Sequence, residues 1–182
     1  MATQTRVAFI ALAATIGLGG GVYFGLSRTP GSSDIGTQAP VLLYAITLPD
    51  LAKRQQPLSQ WKDQTLVVNF WATWCAPCRE EIPGLIRLQR RYASKNLTIV
   101  GIAVDSQDKV GEFAKSFGIN YPVLIGGLDA INLSRSLGNT QGALPYTVIV
   151  SPGGAAVRAH LGALSEAQLD TLIAETGPAN ES

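Results

Sequence analysis

Hydrophobic and polar positions along the chain switch repeatedly between two periods. From Thr65 to Trp71, "TLVVNFW", β-branched and aromatic residues run together, as in a strand buried on both faces. Arg79 to Tyr92 places Ile82, Leu85 and Ile86 at helical spacing, with Pro83 expected to kink the helix. Leu97 to Asp105, "LTIVGIAVD", is a second buried strand. Gln107 to Gly118 puts Val110, Phe113, Ala114 and Phe117 on one helical stripe, and Gly118 suits its C-terminal stop. "YPVLIG" predicts a short third strand, and Asp129 to Gly138 a further helix. "YTVIV" and "AAVRAHL" flank Ser151 to Gly154, a hairpin signal. Ser165 and Gln168 form a capping box for a last helix, stapled by Leu164 and Leu169, with Leu169, Leu172 and Ile173 as its buried face.

The predicted order is strand, helix, strand, helix, strand, helix, hairpin, helix. That is an α/β layout with parallel strands first and an antiparallel pair last. Val41 to Lys62 is expected to add strand structure ahead of the first strand–helix unit.

The N-terminus follows a different pattern. Val7 to Leu26, "VAFIALAATIGLGGGVYFGL", carries no charge across its length, and about 20 apolar residues span a bilayer as a helix. The run exceeds a signal-peptide core, "YFGLSR" makes a poor cleavage site, and Ala11 to Ala13 sits too early for one. Residues 1–26 therefore read as a retained transmembrane anchor, with a cleaved signal peptide the competing reading because Gly19, Gly20 and Gly21 weaken the helix. Ser27 to Pro40, rich in Gly, Ser and Pro, reads as a flexible tether. The folded domain is expected at 41–176, with a short tail at 177–182. A short N-terminal tail before a large C-terminal domain suggests a cytoplasmic N-terminus and an exported domain.

Composition narrows the function. With 46% hydrophobic residues the chain can build a packed core, and its formal net charge of +1 gives no electrostatic case for nucleic acid. The candidate chemistry lies in "NFWATWCAPCREEIP", Asn69 to Pro83, which holds both cysteines, Cys75 and Cys78. A structural disulfide across two residues constrains almost nothing. A structural zinc site needs about four ligands, and the chain has two cysteines and one histidine. Haem attachment needs Cys-x-x-Cys-His, and position 79 is Arg. A peroxidatic cysteine fits poorly too, since Thr73 is one place off the Pro-x-x-x-Thr-x-x-Cys pattern and the upstream proline is missing. Thiol–disulfide chemistry does fit. Cys75 sits at a strand-to-helix junction, where unpaired amides and the helix dipole favour a thiolate. Pro77 suits a first helical turn, and Cys78 follows one turn in.

"VVNFWATWCAPCREEIP" resembles the active-site segment of the thioredoxin superfamily, and within it the membrane-anchored TlpA/ResA-like thiol–disulfide oxidoreductases. The Trp-Cys-x-Pro-Cys core marks the superfamily; "NFWATW" and "REEIP" mark the branch. "ALPYTVIV" resembles the superfamily's cis-proline loop, with Leu144–Pro145 as the cis bond. The resemblance runs from about Gln38 to Thr176.

It implies a thioredoxin-like fold, a central mixed sheet flanked by helices, behind the N-terminal transmembrane helix. The domain would lie outside the cytoplasm, anchored in a bacterial inner membrane. It would exchange dithiols with exported proteins, apocytochrome c among the candidates, and draw electrons from a DsbD/CcdA-type membrane protein. No cofactor or metal is called for. Residue by residue, Cys75 is the attacking thiol, Cys78 the resolving thiol, and Trp74 shapes the surface beside them. Pro145 and the Leu144 backbone hold an extended substrate strand. Asn69 stands where thioredoxin has a buried acid. Glu81, three residues past Cys78, is implied to assist proton transfer, whereas Glu80 reads as a helix-terminus charge. Trp61 reads as packing, Arg79 as a solvated helix position, and His160 as structural or exposed. A disulfide oxidase with the same residues, or an anchored peptide-binding module with idle cysteines, remains an alternative at this point.

Overall fold

The computed structural model describes residues 32–33 and 38–176. The chain divides into two units, Met1–Ser32 and Ser33–Ser182, with the two-residue strand β1 (Ser32–Ser33) at their boundary. The expected membrane span, Val7 to Leu26, and the tail 177–182 lie outside the described residues. Among the described residues, no helix is long and apolar enough to cross a membrane.

The second unit is built on β4 (Thr65–Trp71), buried along all seven residues. It pairs in parallel with β5 (Leu97–Ala103), which pairs in parallel with β6 (Val123–Ile125). On its other side it pairs antiparallel with β7 (Tyr146–Val150), which pairs antiparallel with β8 (Val157–Leu161). Within this unit the sheet order β8-β7-β4-β5-β6 puts β4, buried along its whole length, in the middle. Its continuous hydrophobic run follows from that position, because both faces must be covered.

The covering helices are α2 (Ala76–Tyr92), α3 (Gln107–Phe117), α4 (Asp129–Ser136) and α5 (Glu166–Glu175). Ile82 and Leu85 of α2 and Leu169 of α5 are buried to 1% exposure or less. Ion pairs of Arg87 with Glu166 at 2.9 Å and Arg91 with Asp170 at 2.7 Å join α2 to α5 at the surface. Pro83 lies inside α2 without ending it. Gly118 stops α3 in the left-handed conformation, φ 66°, which costs a glycine nothing sterically. The capping box of Ser165 and Gln168 is formed at the start of α5.

The segment ahead of β4 departs from expectation. Val41 to Tyr44 belongs to a helix, α1 (Gln38–Tyr44), which also takes in Gln38, Ala39 and Pro40 of the expected tether. Between Val41 and Lys62, strand structure begins only with the hairpin β2 (Thr47–Pro49) and β3 (Gln55–Pro57). The cause lies in burial: Leu43 is fully buried, while Val41 and Leu42 are 71% and 39% exposed. One inward face of a helix thus accounts for the run "VLL", and a short apolar run does not by itself distinguish helix from strand.

Candidate active site

β4 delivers the chain to the site. At its C-terminal end Ala72 to Trp74 turn, and Cys75 becomes the N-cap of α2, with Pro77 in the helix's first turn. The Cys75 sulfur accepts a hydrogen bond from the Cys78 amide at 3.3 Å, and the two sulfurs form a disulfide. Cys78 is fully enclosed, whereas Cys75 keeps 5% exposure. The outward sulfur is therefore the one at the helix N-terminus, where the amides and dipole stabilise negative charge. Trp74, next to it, is 68% exposed.

Sheet register brings the proline loop to the same end. Phe70 stands opposite Tyr146, so Pro145 falls one step beyond, beside the point where β4 gives way to the cysteine loop. The Leu144–Pro145 peptide is cis, as expected from the sequence. Pro145 is buried and Leu144 half-buried. The Pro145 carbonyl accepts from the Gly162 amide at 2.9 Å, tying the loop to the end of β8.

Glu81 points inward from α2, one turn past Cys78, and is only 4% exposed. Its Oε1 accepts from Asn69 Nδ2 at 2.7 Å and its Oε2 from the Leu164 amide at 3.1 Å. Burial pushes its pKa up to about 7, outweighing the two hydrogen bonds that favour the carboxylate. A buried carboxyl that changes charge near neutrality can take or give a proton in working conditions. Glu80, on the same helix, is exposed.

The Asn69–Thr147 pair behind Glu81, and the Leu164 amide, were not legible as site components. One signal for Asn69 was present: an amide in the middle of an apolar strand requires a buried partner. The remaining candidates fall elsewhere. Arg79 is exposed, with its guanidinium 5.8 and 5.9 Å from the ring centroids of Phe113 and Phe117. Trp61 packs against the core. His160 is half-buried in β8, and burial lowers its pKa. The Thr73 hydroxyl donates to Asp105. Among the described residues, no group of three or more His, Cys, Asp or Glu side chains could hold a metal ion.

The chain that carries this disulfide and cis-proline loop has relatives among known proteins. Residues 35–159 match the AhpC/TSA family. The chain belongs to that family. It is 32% identical over 127 residues to the thiol–disulfide oxidoreductase ResA of Bacillus subtilis, a match spanning 67% of this chain and 66% of that one. To ResA of Bacillus thuringiensis it is 28% identical, over 86% of this chain and 87% of the relative. A thioredoxin-family thiol:disulfide interchange protein from Chlorobium tepidum superposes with a TM-score of 0.64 at 28% identity, covering 72% of this chain and 92% of the other. This AhpC/TSA member thus has the thioredoxin-like fold and is a thiol–disulfide oxidoreductase similar to ResA.

Proposed function

We propose that the chain is a membrane-anchored reductase of disulfides in exported proteins, with apocytochrome c a candidate substrate. The observation that carries this reading is the Cys75–Cys78 disulfide at the start of α2, its outer sulfur beside exposed Trp74 and the Pro145 loop. The thiolate of reduced Cys75 attacks a substrate disulfide. That S–S bond breaks, one substrate sulfur leaves as a thiolate and takes up a proton, and a mixed disulfide forms on Cys75. Glu81 accepts the Cys78 proton as Cys78 attacks the Cys75 sulfur. The second substrate sulfur then departs and the Cys75–Cys78 disulfide closes. Two electrons have passed to the substrate. The Leu144 backbone and Pro145 hold the substrate strand in extended form during the exchange.

A DsbD/CcdA-type membrane protein would restore the dithiol. The uncharged run from Val7 to Leu26 supports an anchor in a bacterial inner membrane, with the N-terminus cytoplasmic and the domain outside. The ResA relatives, named thiol–disulfide oxidoreductases, support thiol–disulfide exchange as the reaction.

Trapping tests the proposal. Cys78→Ser in the full chain should accumulate a mixed disulfide through Cys75, and mass spectrometry identifies the partner. No trapped species, under conditions where the wild type turns over a peptide disulfide, would refute the assigned order of attack. Membrane fractionation with the mass of the mature N-terminus tests the anchor, which a soluble product starting after residue 26 would rule out.

A further inference from the structure

Asn69 is a polar amide at the centre of a strand that is otherwise packed with Leu66, Val67, Val68, Phe70 and Trp71, all at 0% exposure. Its Nδ2 donates to Glu81 Oε1 at 2.7 Å and to Thr147 Oγ1 at 3.1 Å. Its Oδ1 is buried without a partner. A leucine, branched in the same way, would carry no such unpaired oxygen, so packing alone does not account for an amide here.

The direction of the amide is set by chemistry. An ionised carboxylate can only accept hydrogen bonds, so ionised Glu81 requires the NH₂ edge. Thr147, directly opposite Asn69 in the β4–β7 register, accepts from the same nitrogen and gives the amide a second point of attachment. We propose that Asn69 is a positioning residue for thiol exchange: clamped by Thr147, it aims an amide hydrogen at Glu81 and holds that carboxylate in its proton-accepting form. This rests on the role given to Glu81 above.

Other titratable groups bear on the pocket. Cys78 lies one turn earlier on α2, and Cys75 at the helix start. The Tyr121 hydroxyl, ahead of β6, is buried, and the Glu81 charge raises its pKa further. His160 in β8 stands across from Thr147. At the start of α5, Glu166 is engaged by Arg87 and Arg91. Asn69 differs from all of these in donating directly to the carboxylate through a side chain that substitution can remove.

A hydrogen bond to a charged group corresponds to about 1–2 pKa units. Without Asn69, Glu81 should hold its proton to correspondingly higher pH, leaving only the Leu164 amide as donor. The test measures turnover of a peptide disulfide by the reduced full chain as a function of pH. It compares wild type, Asn69→Leu, Glu81→Gln and the double variant. Asn69→Leu should move the rising midpoint alkaline by about 1–2 units and preserve the plateau rate. In the Glu81→Gln background the same substitution should move nothing. A midpoint left in place by Asn69→Leu overturns the positioning role while Glu81 keeps its own. A wild-type profile in Glu81→Gln overturns the role of Glu81, and with it that of Asn69. If Asn69→Leu does not fold, Thr147→Val removes the clamp alone. It must then shift the midpoint in the same direction by a smaller amount, and no shift overturns the proposal.

Discussion

Replacing Glu81 by glutamine should stabilise the oxidised protein at neutral pH, and by an amount that depends on pH. The folded carboxyl titrates at about 7 against a reference of 4.5, because burial outweighs its two hydrogen bonds. The folded state therefore holds the proton more tightly than the unfolded chain. Below pH 4.5 both states are protonated and nothing is lost. Between 4.5 and 7 the unfolded chain releases its proton first, so stability falls as pH rises, and above 7 the full penalty is present. The shift of about 2.5 units, at about 1.4 kcal/mol each, gives about 3 kcal/mol. With Glu81 only 4% exposed, solvent screening removes little of that. Against a total stability of about 5–15 kcal/mol the effect is large. Glutamine keeps the volume and does not titrate. Urea denaturation of both oxidised proteins, followed by tryptophan fluorescence from about pH 4 to about pH 8, isolates the effect as a difference. The disulfide keeps the cysteines from titrating, and His160, common to both proteins, cancels in the difference. The advantage of Glu81→Gln should grow by about 3 kcal/mol across that window. A constant difference would refute the titration of Glu81 near neutrality, and with it the physical basis for its use as a proton acceptor.

Two further substitutions probe the surface of the site and its frame. Trp74→Ala should change stability by less than about 0.5 kcal/mol, because the ring is 68% exposed, yet raise KM for protein disulfides more than for a small disulfide. Equal effects on both substrates would show that Trp74 does not contact the polypeptide. Ser165→Ala removes the side-chain cap of α5 and should cost about 1 kcal/mol in chemical denaturation; an unchanged midpoint would mean the start of α5 is held by packing alone.

Local pattern and chemistry carried much of the protein. "TLVVNFW", with its β-branched and aromatic residues, reads as a strand covered on both faces, and it is the central strand of the sheet. The spacing of Cys75 and Cys78, with Pro77 between them, placed the pair on one helical turn before any tertiary contact was known. The capping box of α5 was likewise local, since its hydrogen bonds join residues three apart. By contrast, nothing local separated the helix from Gln38 to Tyr44 from a strand, because its assignment depends on which single leucine faces the core. Spacing along α2 set Glu81, three residues past Cys78, apart from Glu80, but it did not tell how completely that carboxylate is enclosed. Glu80 and Glu81 are chain neighbours, and only the packing of α2 against the sheet leaves the first in water and encloses the second. The partners of Glu81 come from residues 12 and 83 positions away, Asn69 and Leu164, and Asn69 is clamped by Thr147, 78 positions from it. Side-chain period and short-range hydrogen bonds were enough for the strand, the cysteine pair and the helix it caps. The ionisation of Glu81 arises from packing, because desolvation and the donors that oppose it exist once β4, β7, α2 and the start of α5 enclose the same carboxylate.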